Sequence, residues 1–515
     1  MTVPPHRTPR PSTPPLSRAR LPVPGLARPR SAPERGIVHL GLGNFHRAHQ
    51  AVYTAEALRH TEGPWGITGV VTGPTQRSRT IVEGMSAQDE LYTVLTLGRD
   101  GSVRAEVPGV HHPGLLGGDQ AEAVVAAIGE ATTRIVTLSV TEKGYTFTPS
   151  GGLDLDDPRV AADLAGTGAP RSPLGLLLRG LQRRARGHAA PLTVLSCDNL
   201  TDNGSKVRRL LEEFAAALPA GEREELTGYL ASSVTTPSSM VDRIAPATTD
   251  EHRALVTRHF GVRDAVPVPA EPYRLWVLQD DFAAGRPAWE RAGAVFTSEV
   301  ASYETMKLRL LNGAHSLLAY LGLLLGHASI DGAVADPELG PAVRHAMTGE
   351  ILPGLDLPAG VNGPAYIGEL LERFANPALG HRTAQVASDG SLKLPVRWAG
   401  PLDHQLAAGT VPEVLALGVA AYIRVVTRGE EAYDVPALGA VRDDATARLR
   451  ALAERAGEPG EAALRVVEAG GILPEPVAGR REFTDRVAAY ARDLERHGAR
   501  ATLASVPLDA PASAP

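Results

Sequence analysis

A glycine turn near the N-terminus constrains the fold of this chain more than any other feature of its sequence. Gly41 and Gly43 follow a short apolar run, residues 36–40, and precede a helical pattern over residues 47–60. A second apolar run, residues 65–71, comes next. Strand, glycine turn, helix and strand in close succession are typical of the βαβ unit that opens a dinucleotide-binding fold. An ordinary tight turn between strand and helix is the alternative.

The turn predicts a nicotinamide cofactor, because glycines let the backbone bend tightly and approach a pyrophosphate. The turn departs from the usual fingerprint in two ways, and the second leaves NADP possible beside NAD. His46 stands where a third glycine is expected, and no acidic residue follows the second strand. Arg77 and Arg79 follow it instead, and an arginine there could meet a 2′-phosphate. The predicted cofactor-binding residues are Gly41, Gly43, Asn44, Phe45, His46 and Arg47.

Two later apolar runs, residues 134–140 and 192–197, each follow a helical pattern, over residues 122–128 and 174–184 respectively. Such alternation predicts an α/β domain with a parallel sheet. Both runs end in polar clusters, TEKGY and Asp198-Asn199. Ligands of open parallel sheets bind at the carboxyl ends of the strands, where these clusters fall.

Long helical patterns dominate from about residue 302 onward, which predicts a second, mainly α-helical domain. We predict a Rossmann-like domain over 34–296 and a helical substrate and catalytic domain over 297–503, with a linker near 283–294. The expected helices of the second domain span residues 303–325, 337–348, 366–374, 411–426, 443–456 and 483–497.

The two ends of the chain have a different composition. Residues 1–33 are rich in Pro, Arg and Ser, which predicts a disordered arm, with an import signal as the alternative. Residues 504–515 are predicted to form a flexible tail. A single cysteine and no apolar run of about 18 residues predict a cytoplasmic protein without a membrane partner. The net charge of -6 argues against nucleic acid.

Lysine is rare in this chain and arginine is not. Lys143, Lys206, Lys307 and Lys393 are the only lysines among 52 basic residues. Arginine does not give up its proton at working pH, whereas a buried lysine can. A retained lysine is therefore a candidate for proton transfer, although four lysines could also remain by chance.

Lys307, Asn312 and His315 form the clearest catalytic candidate. Oxidation of a secondary alcohol needs a base for the hydroxyl proton and donors for the developing alkoxide. Lys307 could be the base, and Asn312 and His315 could be the donors. Glu304 could relay the proton or simply pair with Lys307. In one regular helix Lys307 lies about 12 Å from His315 along the axis, so the three do not share one tight stripe. A surface ion pair and a helix histidine with satisfied hydrogen bonds are the structural alternative.

Other polar residues border apolar runs. Asp242, Arg243 and Asn199 could serve the site or could cap turns. His46 and His49 are spaced like a metal pair, but no Asp, Glu or Cys stands at ligand spacing, so we predict no metal.

Several motifs together resemble the polyol-specific long-chain dehydrogenase/reductase family, which includes mannitol 2-dehydrogenase and fructuronate reductase. The resemblance extends from residue 36 to about residue 503. It implies a Rossmann-like domain, a helical C-terminal domain, a metal-independent reaction and a monomer. The motifs are IVHLGLGNFHRAHQAVYT, TEKGY, LSCDNLTDNG, SSMVDRIAPAT, GRPAWERAGA and MKLRLLNGAHSLLAYLG.

The resemblance also implies roles for individual residues. Lys307 would be the general acid/base, and Asn199, Asn312 and His315 would polarise the substrate oxygen. Asp242 would bind a substrate hydroxyl, with Arg243 beside it.

TEKGY and HRTAQVASDGSLKLP are more similar to the fructuronate-reductase branch of the family. Lys393 and Arg397 in that region could pair with a substrate carboxylate. The expected reaction is hydride transfer between NAD(H) and C2 of a small polyol or sugar acid, either mannitol/fructose or mannonate/fructuronate. Arabinitol and tagaturonate are further candidates. A non-catalytic NAD sensor and a metal-dependent dehydrogenase are the rival hypotheses.

Overall fold

The computed structural model describes residues 13–73, 75–140, 144–148, 151–166, 168–170, 172–429 and 441–508. The chain divides into two compact units, Met1–Val300 and Ala301–Pro515, which we call unit 1 and unit 2. The division lies close to the boundary predicted after residue 296.

Unit 1 contains the parallel sheet that the sequence predicts. A six-stranded sheet has the order β5-β2-β1-β6-β7-β8, and every neighbouring pair in it is parallel. Two three-stranded sheets, β10-β3-β4 and β12-β11-β9, accompany it. The strands are β1 Arg35–Leu40, β2 Gly66–Val71, β3 Val94–Leu97, β4 Val103–Glu106, β5 His111–Leu116, β6 Ile135–Leu138, β7 Leu192–Ser196, β8 Val234–Thr235, β9 Ser239–Asp242, β10 Val268–Ala270, β11 Leu275–Leu278 and β12 Val295–Phe296.

Helices cover both faces of the six-stranded sheet. Val38 and Leu40 of β1 pack in one apolar cluster with side chains of the flanking helices, whereas Ile37 packs in another. Successive side chains of a strand point to opposite faces, so this division shows that both faces are buried. The helices of unit 1 are α1 Asn44–Ala48, α2 Gln50–His60, α3 Gln76–Ser86, α4 Ala121–Gly129, α5 Pro158–Ala165, α6 Pro173–Gly187, α7 Asn203–Ala216, α8 Ala220–Ser233 and α9 Asp250–Phe260, with a 3-10 turn at Trp289–Ala292.

Unit 2 is built from helices around one apolar core. Two of its helical runs contain a π-helical segment, Lys307–Asn312 and Ala346–Ile351. Short 3-10 turns lie at Leu352–Gly354 and Pro377–Leu379. The α-helices are α10 Val300–Met306, which crosses the boundary, α11 Gly313–Leu324, α12 Ile330–Val334, α13 Leu339–His345, α14 Gly363–Phe374, α15 Thr383–Ala387, α16 Gly390–Ala407, α17 Glu413–Arg428, α18 Thr446–Ala453, α19 Pro459–Ala469, α20 Glu475–Ala478 and α21 Arg481–Ala504.

The N-terminal arm is ordered where the structure describes it, and the prediction of disorder over 1–33 is wrong for residues 13–33. Leu16, Leu21 and Leu26 are at most 1% exposed. The Leu16 amide donates to Arg263 O over 2.7 Å. The average composition of the segment conceals these three leucines, which find apolar surface on unit 1. Residues 1–12 lie outside the described part of the chain.

Residues 283–294 do not form the predicted linker between domains. Trp289 is fully buried in unit 1, where its indole packs 4.5 Å from the ring of Trp276 and donates to Thr54 Oγ1. The glycine and proline content of this stretch therefore reflects turns within the unit. At the other end of the chain, α21 continues to Ala504 and Val506 is 6% exposed. Residues 509–515 lie outside the described structure.

Over the described ranges, no helix combines the length and the apolar character that a membrane span requires.

Candidate active site

The glycine turn has the backbone geometry of a close ligand approach. Gly41 adopts a φ of 115°, and both Gly41 and Leu42 donate their amides to Val70 O of β2. A Cβ added at Gly41 would lie 2.0 Å from Ser139 O, whereas one at Gly43 would meet nothing closer than 3.6 Å. Gly41 is thus needed for the turn itself. Gly43 leaves open space above it, as binding of a pyrophosphate at this turn requires.

A buried histidine cluster supports the turn from inside unit 1. His39 and His46 stack at 3.5 Å between ring centroids, and His46 Nε2 lies 3.0 Å from His111 Nε2. His39 also contacts Gly41 O and Ser139 Oγ. Burial lowers the pKa of His39 and of His111 to about 3, so these rings stay neutral and can share hydrogen bonds.

Two predicted cofactor residues prove to be internal supports of the turn. His46 and Arg47 are each 1% exposed. The His46 ring faces the cluster, and Arg47 donates to Val266 O and Asn44 Oδ1. The prediction that these two residues bind the cofactor is corrected for their side chains, because neither side chain reaches the surface. Asn44 and Phe45 remain partly exposed at the turn.

The arginines after β2 bear on the choice between NAD and NADP. Arg79 pairs with Asp119 over 2.7 Å, and both side chains are about half exposed. A ligand could displace so exposed an ion pair at little cost. The side chain of Arg77 lies outside the described part of the structure.

Asp198, which was not among the predicted site residues, lies where the carboxyl ends of β6 and β7 meet. Asp198 Oδ2 accepts from the Tyr145 hydroxyl at 2.5 Å and from the Val140 amide at 3.2 Å. Burial raises the pKa of Asp198 to about 7, against these hydrogen bonds. Asn199 follows at once and is exposed. The polar residues that follow these two strands in the sequence were the signal from which Asp198 could have been predicted. Thr141, Glu142 and Lys143 of TEKGY lie outside the described residues.

Asp242 and Arg243 lie at the end of β9, and both are buried, at 5% and 7% exposure. The Arg243 guanidinium donates to Glu271 O and to Ala48 O, which ties the end of α1 to the loop between β10 and β11. Arg243 is therefore a structural residue, and its assignment to substrate is corrected. Asp242 is the last residue of β9, and its assignment to the substrate stays a prediction.

Lys307 and Asn312 lie at the two ends of a π-helical segment of unit 2. The Gly313 amide donates to Leu308 O, five residues back. In an α-helix, residues five apart are about 140° apart around the axis, whereas π-helical spacing, with hydrogen bonds between residues five apart, brings them nearer to one face. Lys307 and Asn312 are five apart within this segment, so π-helical spacing reduces the angle between them around the axis, and His315 follows in α11. Lys307 is 8% exposed.

His315 lies in a positive environment within unit 2. Its ring stacks on Phe374 at 5.0 Å. Burial holds the pKa of His315 well below its ordinary value, and the nearby His381, Arg397 and Arg373 lower it further. A neutral imidazole can donate one hydrogen bond and accept another.

Lys393 and Arg397 lie on α16. The Lys393 ammonium donates to Ser388 O at 2.5 Å, just before the helix. Arg397 donates to Asn312 O at 3.2 Å and to Ser316 Oγ at 2.8 Å. Arg397 therefore contacts the backbone of a predicted catalytic residue directly. Burial lowers the pKa of the Arg397 guanidinium to about 10.

Metal ligands do not gather in the described residues, where no group of three or more His, Cys, Asp or Glu side chains could hold an ion. His46 and His49, whose spacing is that of a metal pair, face different partners, because His49 Nε2 lies 3.1 Å from Leu275 O while His46 faces His111. Cys197 is buried, and burial raises the pKa of its thiol well above the ordinary value.

Comparison with known protein families matches both units. Residues 35–291 fit the model of the mannitol dehydrogenase Rossmann domain, and residues 299–477 fit the mannitol dehydrogenase C-terminal domain. The chain belongs to the mannitol dehydrogenase family. These matches confirm the family and the fold class predicted from the sequence, and they confirm the prediction that the protein is an oxidoreductase.

Matches to individual proteins cover most of the chain. The D-mannonate oxidoreductase of Escherichia coli is 40% identical over 410 residues, which cover 79% of this chain and 83% of that protein. The mannitol 2-dehydrogenase of Pseudomonas fluorescens, solved as a ternary complex with NAD and D-mannitol, is 33% identical with a TM-score of 0.78. That match covers 92% of this chain and 94% of the other. A substrate-free D-sorbitol dehydrogenase is 29% identical with a TM-score of 0.84, over 95% of this chain and 100% of that one.

Proposed function

We propose that this chain catalyses the reversible, NAD-dependent oxidation of a secondary alcohol at C2 of a sugar alcohol or sugar acid, without a metal. The observation that carries the proposal is the π-helical segment. With π-helical spacing, Lys307 and Asn312 would lie toward one face of the helix near His315, in a chain that also has a nucleotide-type glycine turn. A base and two hydrogen-bond donors are the groups that alcohol oxidation needs.

The glycine turn fits a dinucleotide. The open space at Gly43 and the close backbone packing at Gly41 form a cradle that a side chain would fill. We assign Gly41, Gly43, Asn44 and Phe45 to direct contact with the cofactor. His46 and Arg47 would support the turn from behind. NAD, when bound, supplies the carbon that accepts the hydride.

The residues of this chain handle the proton and the substrate oxygen. Lys307 takes the hydroxyl proton during oxidation and returns it during reduction. Asn312, His315 and Asn199 donate hydrogen bonds to the oxygen as negative charge develops on it. A neutral His315 can donate without competing for the proton. Asp242 binds a neighbouring substrate hydroxyl.

The relatives support two substrate pairs, mannitol with fructose and mannonate with fructuronate. The positive groups near His315, Arg373 and Lys393 among them, favour the sugar acid because they would attract its carboxylate. Arabinitol and tagaturonate are the next candidates. NADP remains an alternative cofactor because of the displaceable Arg79–Asp119 pair. We further propose a cytoplasmic location, because the single cysteine suits a reducing compartment, and a monomer, as the family resemblance implies.

Substitution of Lys307 tests the mechanism. Lys307→Ala is expected to abolish NADH-dependent reduction of fructose, fructuronate, tagaturonate and xylulose, while NADH still quenches or shifts protein fluorescence with unchanged affinity. Lys206→Ala on α7 of unit 1 is the matched lysine control and should retain full turnover. Turnover by Lys307→Ala at neutral pH would contradict the assignment of the base. NADH binding by the wild-type protein without turnover of any substrate would favour a sensor.

A further inference from the structure

Donors from α16 reach the junction between the catalytic π-helical segment and α11. Arg397 donates to Asn312 O and Ser316 Oγ, and the Trp398 indole donates to Gly313 O over 3.2 Å. Asn312 ends the π-helical segment and Gly313 begins α11. Two adjacent side chains of one helix therefore bind two adjacent carbonyls where π-helical spacing changes to α-helical spacing.

The same helix supports the second π-helical segment in the same way. Gln405 Nε2 donates to Gly349 O at 2.8 Å and to Glu350 O at 3.1 Å. In that segment the Leu352 amide donates to Met347 O, again five residues back. Because π-helical spacing is rare and less favourable than α-helical spacing, both segments need outside support. Side chains of α16 donate to carbonyls in both.

Arginine suits the catalytic junction. Its planar guanidinium offers donors in a fixed fork and keeps its charge, so one nitrogen can bind both Asn312 O and the buried Ser316 hydroxyl. Lysine offers only a compact ammonium on a flexible stem. The segment it supports contains Lys307, whose position relative to Asn312 depends on the π-helical register.

We propose that Arg397 is a positioning residue, which holds the segment Lys307–Asn312 in the π-helical register that the reaction requires. This inference rests on the proposed function. It replaces the role of carboxylate ligand that the sequence suggested for Arg397. Without the guanidinium the segment can relax toward α-helical spacing, which rotates Lys307 away from Asn312. The rate of the chemical step then falls for every substrate, with or without a carboxylate.

The test compares Arg397→Met, Arg397→Lys and the control Gln405→Leu in the full-length protein. The control removes the same kind of support from the segment without predicted catalytic residues. Turnover is measured with fructose, which is neutral, and fructuronate, which carries a carboxylate. Hydrogen exchange of the amides in residues 307–316 and 346–352 reports on each segment.

Arg397→Met is expected to lower kcat on both substrates by a similar factor, about 10²-fold, with little change in KM. Arg397→Lys should restore part of kcat, and exchange should rise over 307–316 only. Gln405→Leu should raise exchange over 346–352 and keep kcat. A raised KM for fructuronate with normal fructose turnover would overturn the proposal, as would unchanged kcat. If the wild type reduces neither substrate, the proposed function fails, and unchanged exchange over 307–316 in Arg397→Met would separately refute the positioning role.

Discussion

Two glycines of the same turn should respond to alanine in opposite ways. Gly41 has a φ of 115°, and an added Cβ would lie 2.0 Å from the Ser139 carbonyl. That carbonyl cannot yield easily, because the Ser139 amide is bound to Leu40 O of β1. Backbone strain should cost about 1–3 kcal/mol and overpacking about 1–3 kcal/mol, so Gly41→Ala should lower the free energy of unfolding by about 2–6 kcal/mol.

Gly43→Ala should not destabilise the fold. Gly43 has a φ of -116°, which alanine adopts freely, and the nearest atom to its added Cβ is 3.6 Å away. Because alanine reduces the freedom of the unfolded chain, the free energy of unfolding should rise by about 0.4–1 kcal/mol. The new methyl group would, however, stand in the space that we assign to the pyrophosphate. We expect NADH to bind at least about tenfold more weakly, which is about 1.4 kcal/mol.

Urea unfolding followed by fluorescence measures the first effect, and NADH titration measures the second. The pair separates the fold from the site, since one variant should lose stability and the other should lose affinity alone. Wild-type NADH affinity in a stable Gly43→Ala protein would refute the placement of the cofactor on this turn. Wild-type stability of Gly41→Ala would refute the close contact with Ser139.

Two further predictions concern stability. Burial raises the pKa of Glu350 to about 7, although the Val414 and Leu415 amides donate to its carboxylate. The folded state thus binds the Glu350 proton more tightly than the unfolded state does. The contribution of this group to the free energy of unfolding, about 3 kcal/mol, is complete in acid and is lost as the pH rises through about 7. Glu350→Gln should remove that slope from urea unfolding measured between pH 4.5 and 8, and an unchanged slope would contradict the pKa. Leu26→Ala in the arm should cost about 2–5 kcal/mol, whereas the half-exposed Leu155→Ala should change stability by less than about 0.5 kcal/mol. Equal effects would show that the arm does not contribute to the core.

The sequence predicted the central strands of unit 1 because each is a buried apolar run beside a helix. The edge strands gave no such signal. β5 begins with two histidines and contains Pro113, and β8 has only two residues. In unit 2, α16 was missed because Pro395 and Pro401 lie inside it, and prolines ordinarily argue against a helix interior. Contacts with other parts of unit 2 hold this helix in place, and no local sequence pattern predicts such contacts.

The candidate site was predictable in its residue types but not in its geometry. Spacing in a regular α-helix separates Lys307 from His315, and the sequence therefore left their convergence open. The structure has a π-helical segment between them, and Arg397 of α16, more than 80 residues away in sequence, donates to its end. His46 and Arg47 illustrate the opposite error, since their position beside the turn suggested contact with a ligand while their side chains point inward.

The scarcity of lysine takes on a physical meaning in the structure. Buried arginines repeatedly act as donors to backbone carbonyls: Arg47 to Val266, Arg184 to Ile128 and Arg243 to Glu271. A guanidinium suits this task because it spreads several donors in a plane and stays charged. Replacing such arginines by lysine would lose hydrogen bonds, and replacing Lys307 by arginine would lose a removable proton. Lys307→Arg should therefore keep the positive charge yet fail in turnover, and turnover by this variant would contradict proton transfer by Lys307.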